Sequence, residues 1–241
     1  MRLLALDTAT ERLAVALADG EAEWLLNAEG GAAASATLLP AVLAQLAERQ
    51  MKPADLQAIA FGCGPGAFTG LRTAVSVAQG LAYGIGCPVL PISSLLIVAE
   101  DARQQAGVAV GQAFDLWVAM DARMDEVYAA AYRFDGTRWH EASAPALYDL
   151  PTLQALWQAQ PPGQIAGNAL TAFAGRLSFG HAVQWPQVAD RAAALLRLAR
   201  MAWVDGPHLP ADQALPLYLR DKVALTTAER EAARLAAGVA P

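Results

Sequence analysis

The sequence predicts an α/β protein made of two related halves, each a mixed sheet with helices on both faces. Three observations carry that expectation. The chain opens with three short apolar strands and then alternates helix with strand, an order that calls for a mixed sheet covered on both sides. A strand ending in aspartate, Leu3-Leu4-Ala5-Leu6-Asp7-Thr8-Ala9, is mirrored by Leu116-Trp117-Val118-Ala119-Met120-Asp121-Ala122 at an offset close to half the chain. At 241 residues the chain exceeds the commonest domain size of about 100–150 residues.

Residues 3–7, 13–18 and 22–27 read as strands, joined by turns at Thr10-Glu11 and Asp19-Gly20. A helix is expected over 36–50, where Leu38, Leu39, Val42, Leu43 and Leu46 recur at helical spacing. The strand Ala58-Ile59-Ala60-Phe61-Gly62 then stops in Gly64-Pro65-Gly66-Ala67-Phe68-Thr69-Gly70-Leu71-Arg72, and a helix restarts. Thr69 is the expected N-cap, and a glycine turn ahead of a helix offers backbone N–H groups to an anion or a partner. From Ala74 to Tyr83 the helix has almost no polar face, so its own domain or another chain must cover it. Ser76, Gly80 and Gly84 make a smooth seam at i, i+4, i+8. A helical glycine costs about 1 kcal/mol relative to alanine, so two imply a packing reason. Close packing against the first helix and contact with a second polypeptide both satisfy it.

A strand at 88–92 and a helix begun by Ser93-Ser94 and ending near 105 complete the first half. Gly107 to Gln112 is the link. The later half continues with strands at 127–134 and near 164–167, then an amphipathic helix over about 190–204 with Leu195, Leu196, Leu198, Ala199 and Ala202 inward. Thr226-Thr227-Ala228-Glu229 is a capping-box pattern opening a short charged helix. The expected divisions are 1–106, 107–223 and a charged tail, 224–241.

The formal net charge of −6 argues against a free-standing nucleic-acid binder, so any RNA served here is held by another protein. Met1-Arg2 runs straight into a strand and lacks the pattern of a signal peptide. Gly84, Gly86, Pro88 and Pro91 break the uncharged stretch 73–99, which excludes a membrane span there. Cys63 and Cys87 read as buried thiols in a reducing cytosol.

Nucleotide motifs fail in detail. No lysine occurs between Lys52 and Lys222, so the glycine turn is not a P-loop. Gly62-x-Gly64-x-x-Ala67 matches the dinucleotide fingerprint, but Pro65 interrupts it and the next strand ends without an acid for a ribose. Asp7-Thr8-Ala9-Thr10 has the position of the phosphate hairpin of actin-like ATPases, with alanine where glycine admits a phosphate. Asp7 therefore reads better as a structural turn aspartate; Asp7, Thr8, Gly64 and Gly66 are the candidates for any residual anion contact. His140, His181 and His208 are too scattered for a helical metal pair. Neither cysteine has a neighbouring base in sequence. Asp121, Asp125 and Glu126 could do acid–base work, but carboxylates on a hairpin turn read as solvated.

Four blocks, in this order, resemble the landmarks of the TsaB (YeaZ) family of bacterial tRNA threonylcarbamoyladenosine biosynthesis proteins. They are Leu4-Ala5-Leu6-Asp7-Thr8-Ala9-Thr10, the glycine turn 64–72, Asp121-Ala122-Arg123-Met124-Asp125-Glu126-Val127-Tyr128, and Tyr218-Leu219-Arg220. The glycine motif alone is shared with the related catalytic subunit TsaD. The resemblance implies two tandem actin-like, ribonuclease-H-like (ASKHA) subdomains. It implies cytoplasmic work with TsaD and the ATPase TsaE on tRNA held by the complex, and a homodimer when the chain is alone. The chemistry would lie in TsaD; no cofactor is intrinsic, and a nucleotide is expected only at the TsaD joint. The helix after the glycine motif would supply the partner face through Thr69, Leu71, Thr73, Ser76, Val77, Gly80, Leu81 and Gly84. Two departures stand out: Ala34-Ser35 replaces a frequent His-Ser, and Asp125 stands where glycine is common. The rival readings are a stand-alone actin-like ATPase or kinase and a peptidase.

Overall fold

A computed structural model describes residues 1–220; the helix expected from Thr226 lies outside the described residues. The strands β1 (Arg2–Asp7), β2 (Arg12–Asp19) and β3 (Ala22–Glu29) form an antiparallel meander, with Asp7 opposite Ala14 and Asp19 opposite Ala22. After helix α1 (Ala34–Glu48), strand β4 (Ala58–Gly64) pairs parallel to β1. Helix α2 (Phe68–Ile85) then leads to β5 (Val89–Ser93), parallel to β4, and helix α3 (Ser94–Gln105) follows.

The second half repeats the path. The meander is β6 (Phe114–Asp121), β7 (Glu126–Phe134) and β8 (Trp139–Asp149), followed by α4 (Leu150–Ala159). Strand β9 (Gln164–Ala166) pairs parallel to β6 and β10 (Val183–Trp185) parallel to β9, with the short α5 (Ala169–Ala172) between them. Helix α6 (Arg191–Asp205) follows, and beyond it Leu209 bridges back to Val89 of β5. The sheet orders β3-β2-β1-β4-β5 and β8-β7-β6-β9-β10 are the same topology twice. These are the two tandem ASKHA-type subdomains that the resemblance implies.

Alternation along the central strands sets the layers, because successive side chains leave a strand on opposite faces. Leu4, Leu6, Leu13, Val15 and Leu17 meet Leu38, Val42 and Leu46 of α1 and Ala74, Val75 and Ala78 of α2. Leu3, Ala5, Ala14, Ala16 and Ala18 turn the other way, onto Leu195, Leu196 and Ala199 of α6. Helix α3 packs Leu95, Val98 and Ala102 against Leu116, Val118 and Phe134 of the second sheet, while α4 and α5 cover its far face through Leu153, Trp157 and Leu170. The layers thus run α1/α2, first sheet, α6/α3, second sheet, α4/α5. Although α6 comes late in the chain, it completes the core of the first sheet.

Two buried charges pin the middle layer. Arg103 grips Glu100 at 2.7 Å and stacks 4.5 Å over the Phe134 ring, and the Trp139 indole donates to the same carboxylate at 2.9 Å. Burying such a pair is tolerable because its donors and acceptors are satisfied.

Candidate partner-binding site

The glycine turn is folded back on the β1–β2 turn. Ala67 N–H donates to the Ala9 carbonyl at 2.8 Å, Thr8 Oγ1 donates to the Gly70 carbonyl at 2.7 Å, and Gly64 N–H donates to Ser94 Oγ at 3.1 Å. A Cβ on Gly66 would lie 2.5 Å from the Ala9 oxygen, and one on Gly70 would lie 1.9 Å from the Thr8 oxygen. Glycine is required here so that two stretches of backbone can touch. The expectation that this turn aims free N–H groups outward is therefore corrected for Gly64 and Ala67. Thr69 is also not the cap: Ala67 holds that position without a side-chain bond, and Thr69 sits exposed in the first turn.

Asp7 is more than a turn residue. It is fully buried, and Arg191 Nε donates to its Oδ1 at 2.6 Å while Ser94 Oγ donates to Oδ2 at 3.2 Å. A Cβ on Gly62 would meet Asp7 Oδ2 at 1.6 Å, so the glycine makes room for the carboxylate. Arg191 opens α6, and its guanidinium supplies the positive charge that a buried carboxylate needs. Thr8 is equally buried.

Of the hairpin carboxylates, expected to be solvated, Asp125 is exposed as expected while Asp121 and Glu126 are partly covered, and each faces an arginine. Asp125 pairs with Arg176 at 2.7 Å, Glu126 with Arg220 at 2.6 Å, and Asp121 with Arg123 at 3.5 Å. The hydrogen bond from Arg176 holds the Asp125 carboxyl below its usual range, which suits an ion pair rather than a proton donor. Arg123, Met124 and Asp125 all adopt left-handed backbone, with φ of 64°, 56° and 59°. That conformation explains physically why glycine suits position 125. Arg123 also reaches Glu11 at 2.9 Å, joining the corresponding hairpins of the two halves.

His140 binds Asp135 at 2.7 Å and His208 stacks on Trp203 at 4.6 Å. Burial pushes the Cys63 thiol up to about 11 and also raises Cys87, the opposite of what activates a nucleophile.

The remaining feature is the outer face of α2. Ser76, Gly80 and Gly84 are exposed, and a Cβ on either glycine would meet nothing within 4 Å. Close packing against α1 therefore does not explain them. Thr73, Val77 and Leu81 are half-buried beside this seam. Leu71 is a correction: it is 1% exposed, part of the core, and unavailable to a partner. Two shallow hollows run along the face, one lined by Ser35, Phe68, Thr69, Arg72, Thr73, Ser76 and Val77, the other by Lys52, Pro53, Ala54, Gly80, Leu81, Gly84 and Ile85. Leu39 and Leu43, one and two turns on from Ser35, are exposed large apolar residues, and Tyr83 is 81% exposed. Sequence reasoning missed Phe68, Arg72 and Tyr83 on this face, although the helical repeat that places Ser76 outward places them there too.

Comparison with known proteins gives this geometry a family. Residues 30–226 match the family model described as TsaD, tRNA N6-adenosine threonylcarbamoyltransferase. The chain is 31% identical to the tRNA threonylcarbamoyladenosine biosynthesis protein TsaB of Escherichia coli K12, across 93% of this chain and 96% of that protein. The TsaB protein of Haemophilus influenzae is 31% identical across 92% of this chain and 95% of its own length. A crystal structure from Pseudomonas aeruginosa, described as an uncharacterized protein similar to peptidase YEAZ, superposes with a TM-score of 0.80 at 36% identity, covering 91% of this chain and 99% of that one. No helix among the described residues is long and apolar enough to cross a membrane. By sequence and by fold, the chain belongs to the TsaB (YeaZ) family of tRNA threonylcarbamoyladenosine biosynthesis proteins.

Proposed function

We propose that this chain is the non-catalytic subunit of a cytoplasmic assembly that makes threonylcarbamoyladenosine in tRNA. It docks a TsaD-type threonylcarbamoyltransferase and holds it in an active arrangement. The carrying observation is the outer face of α2, where two helical glycines stand open at i, i+4 beside Val77, Leu81 and Tyr83. A helix of this composition left bare loses stability without a partner, and burying such a face drives association.

The groups that a catalytic reading would use are engaged elsewhere. Asp7 is neutralised by Arg191, the hairpin carboxylates by arginines, and Cys63 is held as a thiol by burial. This favours TsaD as the bearer of the chemistry, with TsaE as the associated ATPase and tRNA bound through the complex. A nucleotide then belongs at the joint with TsaD and not at Asp7, and the same α2 face makes a homodimer when TsaD is absent. The peptidase reading suggested by the description of the Pseudomonas relative needs a nucleophile paired with a base, and Cys63 does not have that environment.

The test mixes the purified chain with TsaD, TsaE, tRNA and threonylcarbamoyl-adenylate, then omits each protein in turn. Modification should require this chain together with TsaD, and Gly80→Arg should fold but fail to bind TsaD or support modification. Peptide hydrolysis or ATP turnover by the chain alone would overturn the non-catalytic reading.

A further inference from the structure

Two landmarks of the sequence lie far apart in the chain, Arg72 at the end of the glycine motif and Tyr218 near the last described residue, and the fold brings them together. Arg72 Nε donates to Tyr218 Oη at 3.0 Å, its guanidinium lies 3.8 Å over the Phe68 ring, and the Phe68 and Tyr218 rings are 5.3 Å apart. The segment carrying Tyr218, which is neither helix nor strand, is tied to β4 by Leu217 N–H, which donates to the Cys63 carbonyl at 2.7 Å. Phe68 is 37% exposed and Tyr218 43%. Here two aromatic rings and a guanidinium are held rigidly at the surface, beside exposed Leu215 and Leu217. Aromatic and arginine side chains pre-ordered in this way are the usual anchors of a protein interface, since little conformational freedom is left to lose.

The charge around this platform identifies what it fits. Arg72 is the sole charged residue of α2, and among the described residues Lys52 is the sole charged one lining the hollow at the other end of the helix. Among the described residues, neither hollow on this face is lined by a carboxylate, although the chain as a whole carries a net charge of −6. Among the described residues, the two terminal nitrogens of Arg72 have no acceptor. Among the described residues, the two hollows are thus lined by apolar and uncharged polar groups with a cation at each end of the helix.

We infer that the Phe68–Arg72–Tyr218 platform receives a carboxylate, set beside an apolar side chain, on the TsaD-type partner that occupies the α2 face. The inference rests on the proposed function for the identity of the partner and adds the chemistry that recognises it. A carboxylate arriving from an apolar surface meets the planar fork of Arg72, a geometry that lysine cannot reproduce. Phe68 and Tyr218 exclude water from the pair and so raise its worth. A second copy of the chain would bring another cationic α2 face to the same place, which disfavours it as the occupant that satisfies Arg72.

The experiment measures the affinity of the full chain for TsaD by calorimetry at low and high salt. It uses Arg72→Glu, Arg72→Lys, Tyr218→Phe and Gly80→Arg, each first checked for an unchanged thermal transition and for its sedimentation behaviour alone. Arg72→Glu should weaken binding at least a hundredfold, Arg72→Lys and Tyr218→Phe about three- to tenfold, and the salt dependence should reverse in sign with Arg72→Glu, since salt then screens a repulsion. If Gly80→Arg abolishes binding while Arg72→Glu stays within twofold of wild type, the platform is not the anchor, although the α2 interface stands. If both variants bind normally, the interface itself is misplaced. If Arg72→Glu changes self-association and leaves TsaD affinity unaltered, the occupant is a second copy and the inference fails.

Discussion

Replacing Gly80 and Gly84 together by alanine should stabilise the isolated chain and weaken its complex with TsaD. Both glycines lie inside α2 and outside the left-handed region, and a Cβ at either meets no atom within 4 Å. Each exchange recovers about 0.8–1.0 kcal/mol of helix propensity, so the pair recovers about 1.5–2 kcal/mol. For a chain of this size, about 2–4 °C per kcal/mol converts that gain to a rise in Tm of about 3–8 °C. Two methyl groups in a helix–helix seam hold the backbones apart, and overpacking of that kind costs about 1–3 kcal/mol. That is a loss of affinity of about 5- to 150-fold. Thermal unfolding followed by circular dichroism gives the first quantity and calorimetric titration with TsaD the second. A fall in Tm would mean that the seam is packed internally. A rise in Tm with unchanged affinity would mean that the seam faces solvent in the complex as well. Either result refutes the reasoning.

Other substitutions probe the buried and strained positions. Arg191→Met should cost about 3–5 kcal/mol because it strands the Asp7 carboxylate in the core; adding Asp7→Asn should restore part of that, and a double variant as unstable as the two losses summed would deny the coupling. Burial raises the Cys63 pKa from 9.0 to about 11, so the unfolded chain ionises first as pH rises. The contribution is complete below pH 9 and lost between about 9 and 11. Iodoacetamide should therefore alkylate Cys63 slowly at pH 8, and Cys63→Ser should flatten the alkaline fall in stability; rapid labelling at pH 8 would contradict the burial. Asp125→Gly removes one side chain from a left-handed residue and should raise Tm by about 2–4 °C, even in high salt, where the exposed pair with Arg176 is screened. A lower Tm would assign the hairpin's stability to that pair.

Legibility along the chain followed burial. β1, β4 and the α2 region are apolar runs bounded by turn residues, and they stand close to where the pattern put them. β8 was not legible, since it is an edge strand with small residues, Pro145 and irregular pairing to β7, so its alternation is weak. α4 had a signal that sequence reading passed over: Asp149 caps it by accepting from Thr152 N–H at 2.7 Å, with proline in the first turn. On the candidate site, the glycine seam was visible because it lies on one helix. The inward role of Leu71 was legible too and was overlooked, because five residues before Ser76 the helical repeat faces nearly the opposite side.

By itself the sequence determined what depends on neighbours in the chain. The strand–turn–helix order, the duplicated strand ending in aspartate, the seam at i, i+4, i+8 and the glycine motif are all local. Only the tertiary structure decided that Arg191 would neutralise Asp7 across 184 positions, and that Arg72 would find Tyr218 across 146. The period of a helix or strand fixes which residues share a face, whereas the choice of partner for that face comes from how α6 and the segment carrying Tyr218 return to the first sheet. A charge pair of that reach leaves no periodic trace, and this is why Asp7 read as a turn residue until the fold placed a guanidinium against it.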